Sequence, residues 1–287
     1  MAAPSSRPPT VIKLGGELLE ARTRLRRIAR ALVDVARREP LVIVHGGGRE
    51  VDVEMARLGI PKRAVDGLRI TDGATLDVVA GVLAGRVNTR LVAALGAAGA
   101  SAVGLTGADG GLAPVRREHR YRAANGTAVD LGFVGRPFGT GRPALLVDLL
   151  AAGHVPVVAS LSAAAGGQIV NVNADTLAGA LAARLAARRL VIAGGTAGVL
   201  DADGRTIPQV DGRGIDALIA EGQASAGMVA KLLACRAALR GGAGAVAIVD
   251  GRRPREGMFD RVAGTAVVGR TDARRRRARE SERREGR

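Results

Sequence analysis

The chain has 287 residues, 47% of them apolar, a formal net charge of +16 and one cysteine, Cys235. That length suits one large domain or two lobes with an ample core. The lone cysteine excludes a disulfide framework and a cysteine-rich zinc site, and the near absence of aromatic residues argues against a base-stacking nucleic-acid surface despite the charge.

The opening "MAAPSSRPPT" lacks the apolar run of a signal peptide, and no later stretch approaches a membrane span, so the expectation is a cytoplasmic protein. Short apolar runs then recur as predicted strands: 10–14, 41–45, 102–106, 155–160, 190–194 and 245–250. Between them lie helical patterns. Residues 22–38 set Leu25, Ile28, Ala29, Leu32, Val35 and Ala36 on one face, and 74–98, 174–187 and 225–240 read the same way. Cys235 falls in the last of these as a small buried hydrophobe. Strands alternating with helices predict an α/β fold with a mainly parallel central sheet sandwiched by helices. Residues 113–136 break the alternation. Asn125-Gly126 between extended runs predicts a projecting β-hairpin. The end, 272–287, is arginine-rich with no apolar residue beyond alanine, which predicts a basic mobile tail rather than a specific nucleic-acid site.

Three glycine turns follow predicted strands: Gly15-Gly16, Gly46-Gly47-Gly48 and Gly194-Gly195. Such turns can aim backbone N–H groups at an anion in the crevice beyond the strand ends. The first is preceded by Lys13. Of forty-three basic residues only Lys13, Lys62 and Lys231 are lysine. A lysine kept in so arginine-rich a chain hints that a compact point charge is needed there. There is no G-x-x-x-x-G-K-[ST], no H-E-x-x-H and no G-x-S-x-G, which removes the P-loop and disfavours a histidine-based hydrolase. His45, at the end of a strand, fits a ligand contact and a turn contact equally. Lys62 reads as surface.

The segments "VIKLGG", "LVIVHGGG", "GLRITD", "LAGRVN", "GLTGADGG", "DLGFVG", "NVNAD" and "GMVAK" occur in that order. Together they resemble the N-acetylglutamate kinase branch of the amino-acid kinase family, over about residues 10–270. The resemblance implies the carbamate-kinase-like fold in two lobes: a substrate-binding and dimer lobe at 10–183 and a nucleotide lobe at 184–271, after an extension at 1–9. It implies transfer of the γ-phosphoryl of ATP, with Mg²⁺ carried by the nucleotide, to the side-chain carboxylate of N-acetyl-L-glutamate. Lys13 and Lys231 match the family's transition-state lysines, and Asp175 the carboxylate that orients both. Gly47, Gly48, Arg69 and Asn171 match substrate contacts. Gly16, Gly195, Thr196, Gly198, Gly227 and Lys231 match the nucleotide side, and no protein-held metal is implied. On residue chemistry alone Asp175 is equally a helix-start carboxylate, and Arg69 one more surface arginine.

This chemistry needs no general base, because a glutamate-type carboxylate with a pKa near ~4.3 is already ionised at neutral pH. The obstacle is repulsion between two anions, which point cations and glycine amides relieve. One departure stands out: Gly194-Gly195 replaces the family's usual Thr-Asp or Ser-Asp, removing a hydroxyl and a carboxylate from the nucleotide loop. The short extension before the first strand leaves no room for the extra helix of arginine-inhibited hexamers, so the expectation is a homodimer across the helix near 74–97, without arginine feedback. The alternatives are a kinase for aminoadipate or glutamate borne on an acidic carrier protein, which the basic charge would suit, and a non-catalytic nucleotide-binding protein. Aspartate kinase and glutamate 5-kinase fit less well, for want of room for the domains those often append.

Overall fold

A computed structural model describes residues 7–123, 126–254, 257–259 and 264–269. The first five strands are β1 (Thr10–Leu14), β2 (Leu41–His45), β3 (Ala64–Val65), β4 (Leu68–Arg69) and β5 (Ala102–Thr106). Then come β6 (Val115–Arg117), β7 (Tyr121–Arg122), β8 (Ala128–Val129), β9 (Val134–Pro137), β10 (Val155–Ala159), β11 (Leu161–Ala163) and β12 (Ile169–Val172). The last four are β13 (Arg189–Gly194), β14 (Gln209–Asp211), β15 (Ala245–Asp250) and β16 (Gly264–Val268). The helices are α1 (Arg22–Ala36), α2 (Gly48–Arg57), α3 (Gly73–Ala80), α4 (Asn88–Ala97), α5 (Ala144–Ala151), α6 (Ala174–Arg184), α7 (Gly212–Ala220) and α8 (Ala226–Arg240).

Eight strands form one sheet in the order β14-β16-β15-β13-β1-β2-β10-β5. From β5 to β15 every pairing is parallel, and only β15–β16 is antiparallel. The six strands expected from apolar runs are the six contiguous parallel ones, β15 to β5. The inner ones, such as β1, β2 and β10, are buried on both faces, which is why the sequence shows continuous runs there instead of alternation, while β5 at the edge is only half-buried. The smaller sheet, β11-β12-β9-β6, flanks the strand ends and was not expected as a separate layer.

Each face of the main sheet carries its own core. Ile12, Leu14, Ile43, Val157 and Val191 pack with α1 and the α3–α4 helix. Val11, Val42, Val44, Val158, Leu190 and Ile192 pack with α5, α6 and α8. Alternation along β1 therefore sends Lys13 to the same side as Val11, toward α6 and α8. Those two helices cross at backbone contact. A Cβ on Gly179 of α6 would lie 2.6 Å from the carbonyl oxygen of Ala234 in α8. Cys235, beside that crossing, is fully buried, as its helical setting predicted.

From α3 through a π-helical segment, Gly81–Val87, to α4, the chain runs as one helix, Gly73–Ala97. Contrary to the sequence reading, this helix is long and apolar enough to cross a membrane, judged by length and composition alone. Its buried side chains, among them Leu76, Val79, Leu83, Leu91 and Leu95, are instead committed to the core over α1.

The expected hairpin is present as two antiparallel pairs, β6–β9 and β7–β8. Asn125, expected at its turn, and the 272–287 tail lie outside the described residues. The hairpin does more than project: Tyr121 Oη donates to Asp66 Oδ2 at 2.9 Å, tying it to the turn between β3 and β4.

A candidate phosphoryl-transfer site

Strand order sets the site. Because β13, β1 and β2 are neighbours, the three glycine turns that follow them lie side by side at the carboxyl ends of the strands, the usual ligand crevice of such sheets. They are closely fitted. Gly15 N–H donates to the Ala193 carbonyl at 2.9 Å. A Cβ on Gly16 would lie 2.7 Å from Gly47 Cα, and one on Gly47 would lie 2.7 Å from Leu83 Cδ2 of the π-helical segment. Side chains at these two positions would push the first two turns apart, so their glycines are a packing requirement. The cleft they bound has a volume of about 270 Å³.

Three sequence-distant charges meet in its wall. Asp175 Oδ1 lies 2.9 Å from Lys13 Nζ, and Asp175 Oδ2 accepts from Lys231 Nζ at 2.8 Å. Asp175 is the second residue of α6, yet it does not cap the helix. Asn173 does, accepting from the Thr176 amide at 3.0 Å. The Asp175 carboxylate is thus taken by the two lysines rather than by a backbone amide. Lys13 and Asp175 are 6% and 5% exposed, so both charges are almost wholly removed from water. Burial lowers the Lys13 ammonium from its ordinary value against the pull of Asp175. Burial acts upward on Asp175, but Lys13 and Lys231 outweigh it and hold the carboxyl below the usual carboxylate range. Buried ion clusters are poor stabilisers relative to apolar packing. Two cations held on one carboxylate at a cleft wall make better sense as a charge device than as a staple.

On the β2 side, Arg69 is fixed before any ligand arrives. Its Nη2 donates to the Gly48 carbonyl at 3.2 Å and to Asp52 Oδ1, and its Nη1 reaches Met55 Sδ at 3.1 Å. Asp52 also accepts from Lys62 Nζ at 2.7 Å. Lys62 is thus exposed, as expected of a surface lysine, but it braces the carboxylate that aims Arg69. Asn171 on β12 donates to Thr71 Oγ1 at 3.3 Å. Gly47, Gly48, Arg69 and Asn171 all line the cleft with Lys13, Gly16, Asp175 and Lys231. Gly195, Thr196, Gly198 and Gly227 do not. Thr196 and Gly227 are exposed beside it. Gly198, with φ +130°, is packed where a Cβ would lie 2.6 Å from Thr265 Oγ1, which gives it a structural reason to be glycine.

His45 is fully buried and does not line the cleft. Asn88 Nδ2 donates to its Nε2 at 3.0 Å and to the Val157 carbonyl at 2.9 Å, leaving Nδ1–H to donate to the Gly46 carbonyl at 3.1 Å. Burial pushes its pKa down to about 4. It is a neutral brace for the second glycine turn. Glu17 was missed by the sequence reading. A glutamate after a Gly-Gly turn looks like ordinary surface polarity, yet its Oε1 accepts from Gly195 N–H at 2.7 Å, and Glu17 lines the cleft. Among the described residues no three His, Cys, Asp or Glu side chains gather as a metal cage. Asp175 is engaged by lysines on both oxygens, an arrangement that fits a divalent ion brought by phosphates, which Mg²⁺ favours.

The amino acid kinase family model matches residues 8–250. The chain is 45% identical over 216 residues to acetylglutamate kinase of Gluconacetobacter diazotrophicus, covering 74% of this chain and 69% of the relative. It is 40% identical over 267 residues to acetylglutamate kinase of Symbiobacterium thermophilum, covering 90% of each. Among solved structures, N-acetylglutamate synthase from Neisseria gonorrhoeae, complexed with coenzyme A and N-acetyl-glutamate, matches with a TM-score of 0.76 at 26% identity. The match covers 91% of this chain but only 59% of the synthase. Carbamate kinase from Giardia lamblia bound to AMP-PNP matches with a TM-score of 0.65 at 15% identity, over 92% of this chain and 99% of that one, a likeness of fold alone. With the family model spanning most of its length and acetylglutamate kinases at this level of identity, the chain belongs to the amino acid kinase family and is a kinase.

Proposed function

We infer that the enzyme transfers the γ-phosphoryl group of ATP to the side-chain carboxylate of N-acetyl-L-glutamate, giving N-acetylglutamyl 5-phosphate, a step of arginine biosynthesis. The observation that carries this reading is the Lys13–Asp175–Lys231 cluster at the cleft wall, in a chain whose curated relatives are acetylglutamate kinases. The acceptor carboxylate attacks as the anion it already is, and its oxygen forms the new P–O bond while the bond to the β-γ bridging oxygen breaks. Lys13 and Lys231 offset the charge on the phosphoryl oxygens through that passage, and Asp175 keeps both ammonium groups in place. Gly16 and Gly195 present backbone to the phosphates, and Thr196, Gly198 and Gly227 shape the nucleotide side. Mg²⁺ brought with the nucleotide would supply further charge neutralisation. Gly47, Gly48 and Asn171 contact the acetamido acid, and Arg69 grips its α-carboxylate as a fork. The split at residues 183–184 separates the substrate and nucleotide lobes.

Hydroxylamine trapping of the acyl phosphate tests this. Turnover is expected with N-acetylglutamate and not with glutamate or aspartate. Silence with every free acid, alongside intact ATP binding, would move the substrate to a carrier-bound carboxylate. In the same assay Arg69→Ala should raise KM for N-acetylglutamate roughly 10- to 100-fold with a much smaller change in kcat, since one charge-assisted pair to substrate is lost. An unchanged KM would remove Arg69 from the substrate site.

The enzyme acts in the cytoplasm, where its phosphoryl donor is made, and as a homodimer through the outer face of the Gly73–Ala97 helix. The support for the dimer is that Gly81, Gly85, Thr89 and Ala93 are exposed at helical spacing and would let a second backbone approach. Sedimentation equilibrium should give twice the chain mass of 29.3 kDa, and a monomer at working concentration would refute it.

A further inference from the structure

Glu17 occupies a position that suits an anion other than its own. It follows the first glycine turn within a single 3₁₀ turn, Gly16–Leu18. Its carboxylate folds back over that turn, so a Cβ on Gly15 would lie only 2.4 and 2.5 Å from its two oxygens. From there Oε1 reaches across to the third turn and takes the Gly195 N–H at 2.7 Å. Cβ atoms on Gly194 and Gly195 would each sit 3.4 Å from the same oxygen, and the one on Gly194 also 3.8 Å from Lys231 Cε. Three glycines thus leave a pocket for one carboxylate, beside a lysine and on the Gly195 amide, with Glu17 itself at the cleft wall. Those are the features by which a glycine turn holds a phosphate.

We propose that Glu17 is an internal occupant of a phosphate subsite: in the nucleotide-free enzyme its carboxylate fills the Gly195 amide, and a nucleotide phosphate must displace it. This rests on reading the cleft as the nucleotide-phosphate site. A hydrogen bond to an ionised acceptor is stronger than a neutral one, so displacement sets a toll on nucleotide affinity. The apparent affinity falls by the fraction of molecules whose amide is free. The toll falls on phosphates alone, because the carboxylate competes only for the amide and the neighbouring positive charge. Its release also differs from loss of a strut: a strut predicts weaker nucleotide binding when removed, a competitor predicts tighter.

Isothermal titration with ATP and with adenosine, on the full chain, tests this with Glu17→Gln and Glu17→Ala. Both variants are expected to bind ATP at least threefold more tightly than wild type, with and without Mg²⁺, and adenosine as wild type does. Glu17→Gln preserves the side chain's shape and guards against a folding artefact. Unchanged or weaker ATP binding in both variants overturns the proposal, and so does an equal gain for adenosine, which would mean a general loosening of the site. The hydroxylamine assay on wild-type enzyme is read separately. Tighter ATP binding in the variants without acyl-phosphate formation by wild type would keep the Glu17 inference and discard the substrate reading.

Discussion

Methionine in place of Lys13 or of Lys231 should lower kcat for acyl-phosphate formation by about a hundredfold or more, the expected cost of removing a group that, on the proposed mechanism, is aimed at charge developing in the transition state (~3 kcal/mol). KM values should change far less, because ground-state binding has other partners. Methionine keeps the length of the side chain and removes only the charge. Arginine should not rescue either position: its fork is too broad for a buried site that presents one carboxylate oxygen to each cation. The two losses should not multiply in the double variant, because both cations act through Asp175 and their effects couple. Removing one lysine also leaves Asp175 buried with a single cation, so its carboxyl pKa should rise. Either single variant retaining kcat within about threefold of wild type would remove that lysine from the chemistry.

Stability should fall by about 3 kcal/mol as the pH drops from 7 to 4, and His45 should account for most of it. The folded pKa of His45 is pushed down to about 4 by burial, with the Gly46 carbonyl and Glu50 opposing the shift and Arg90 adding to it. An unfolded histidine titrates near ~6.5. Between those values the unfolded chain binds a proton that the folded chain refuses. Stability is therefore complete above the unfolded value and is lost as pH falls toward the folded one. The carboxylates act lower. Asp175, Glu39 and Asp52 have folded pKa values below their ordinary range, through opposing burial and attracting basic partners. Their contribution is present above the unfolded carboxylate range and disappears only as pH falls through the lowered values. The window between ~6.5 and ~4 thus isolates His45 from them. Urea unfolding at pH 7, 5.5 and 4.5 should show the slope, and His45→Gln, which can still bridge Asn88 and Gly46, should flatten it. A slope unchanged in that variant would place its origin elsewhere.

The parallel core was legible because its strands are apolar on both faces. Runs such as Thr10–Leu14 and Leu41–His45 have one reading where a half-buried strand would have two. Lys13 was legible because it interrupts such a run and because lysine is scarce in the chain. The edges were less so. β14 has three residues, and β16 follows a stretch with no helical period, so neither stands out from loop. α2 hides because only Val51 and Met55 of its ten residues are buried. At the site, the scarcity of lysine drew attention to Lys13 and Lys231, and Asp175 stood out only through the family resemblance, while the settings of Arg69, His45 and Glu17 depend on partners far along the chain: Asp52, Asn88 and Gly195. No local pattern announces a pairing across 178 residues, as between Glu17 and Gly195.

Because Gly179 lets α6 lie directly on the α8 backbone, Asp175 and Lys231 ride on one block, although 56 residues separate them. Lys13 hangs from the sheet beneath the same block. The polar frame of the cleft is therefore built when the helices dock, not assembled around an arriving substrate.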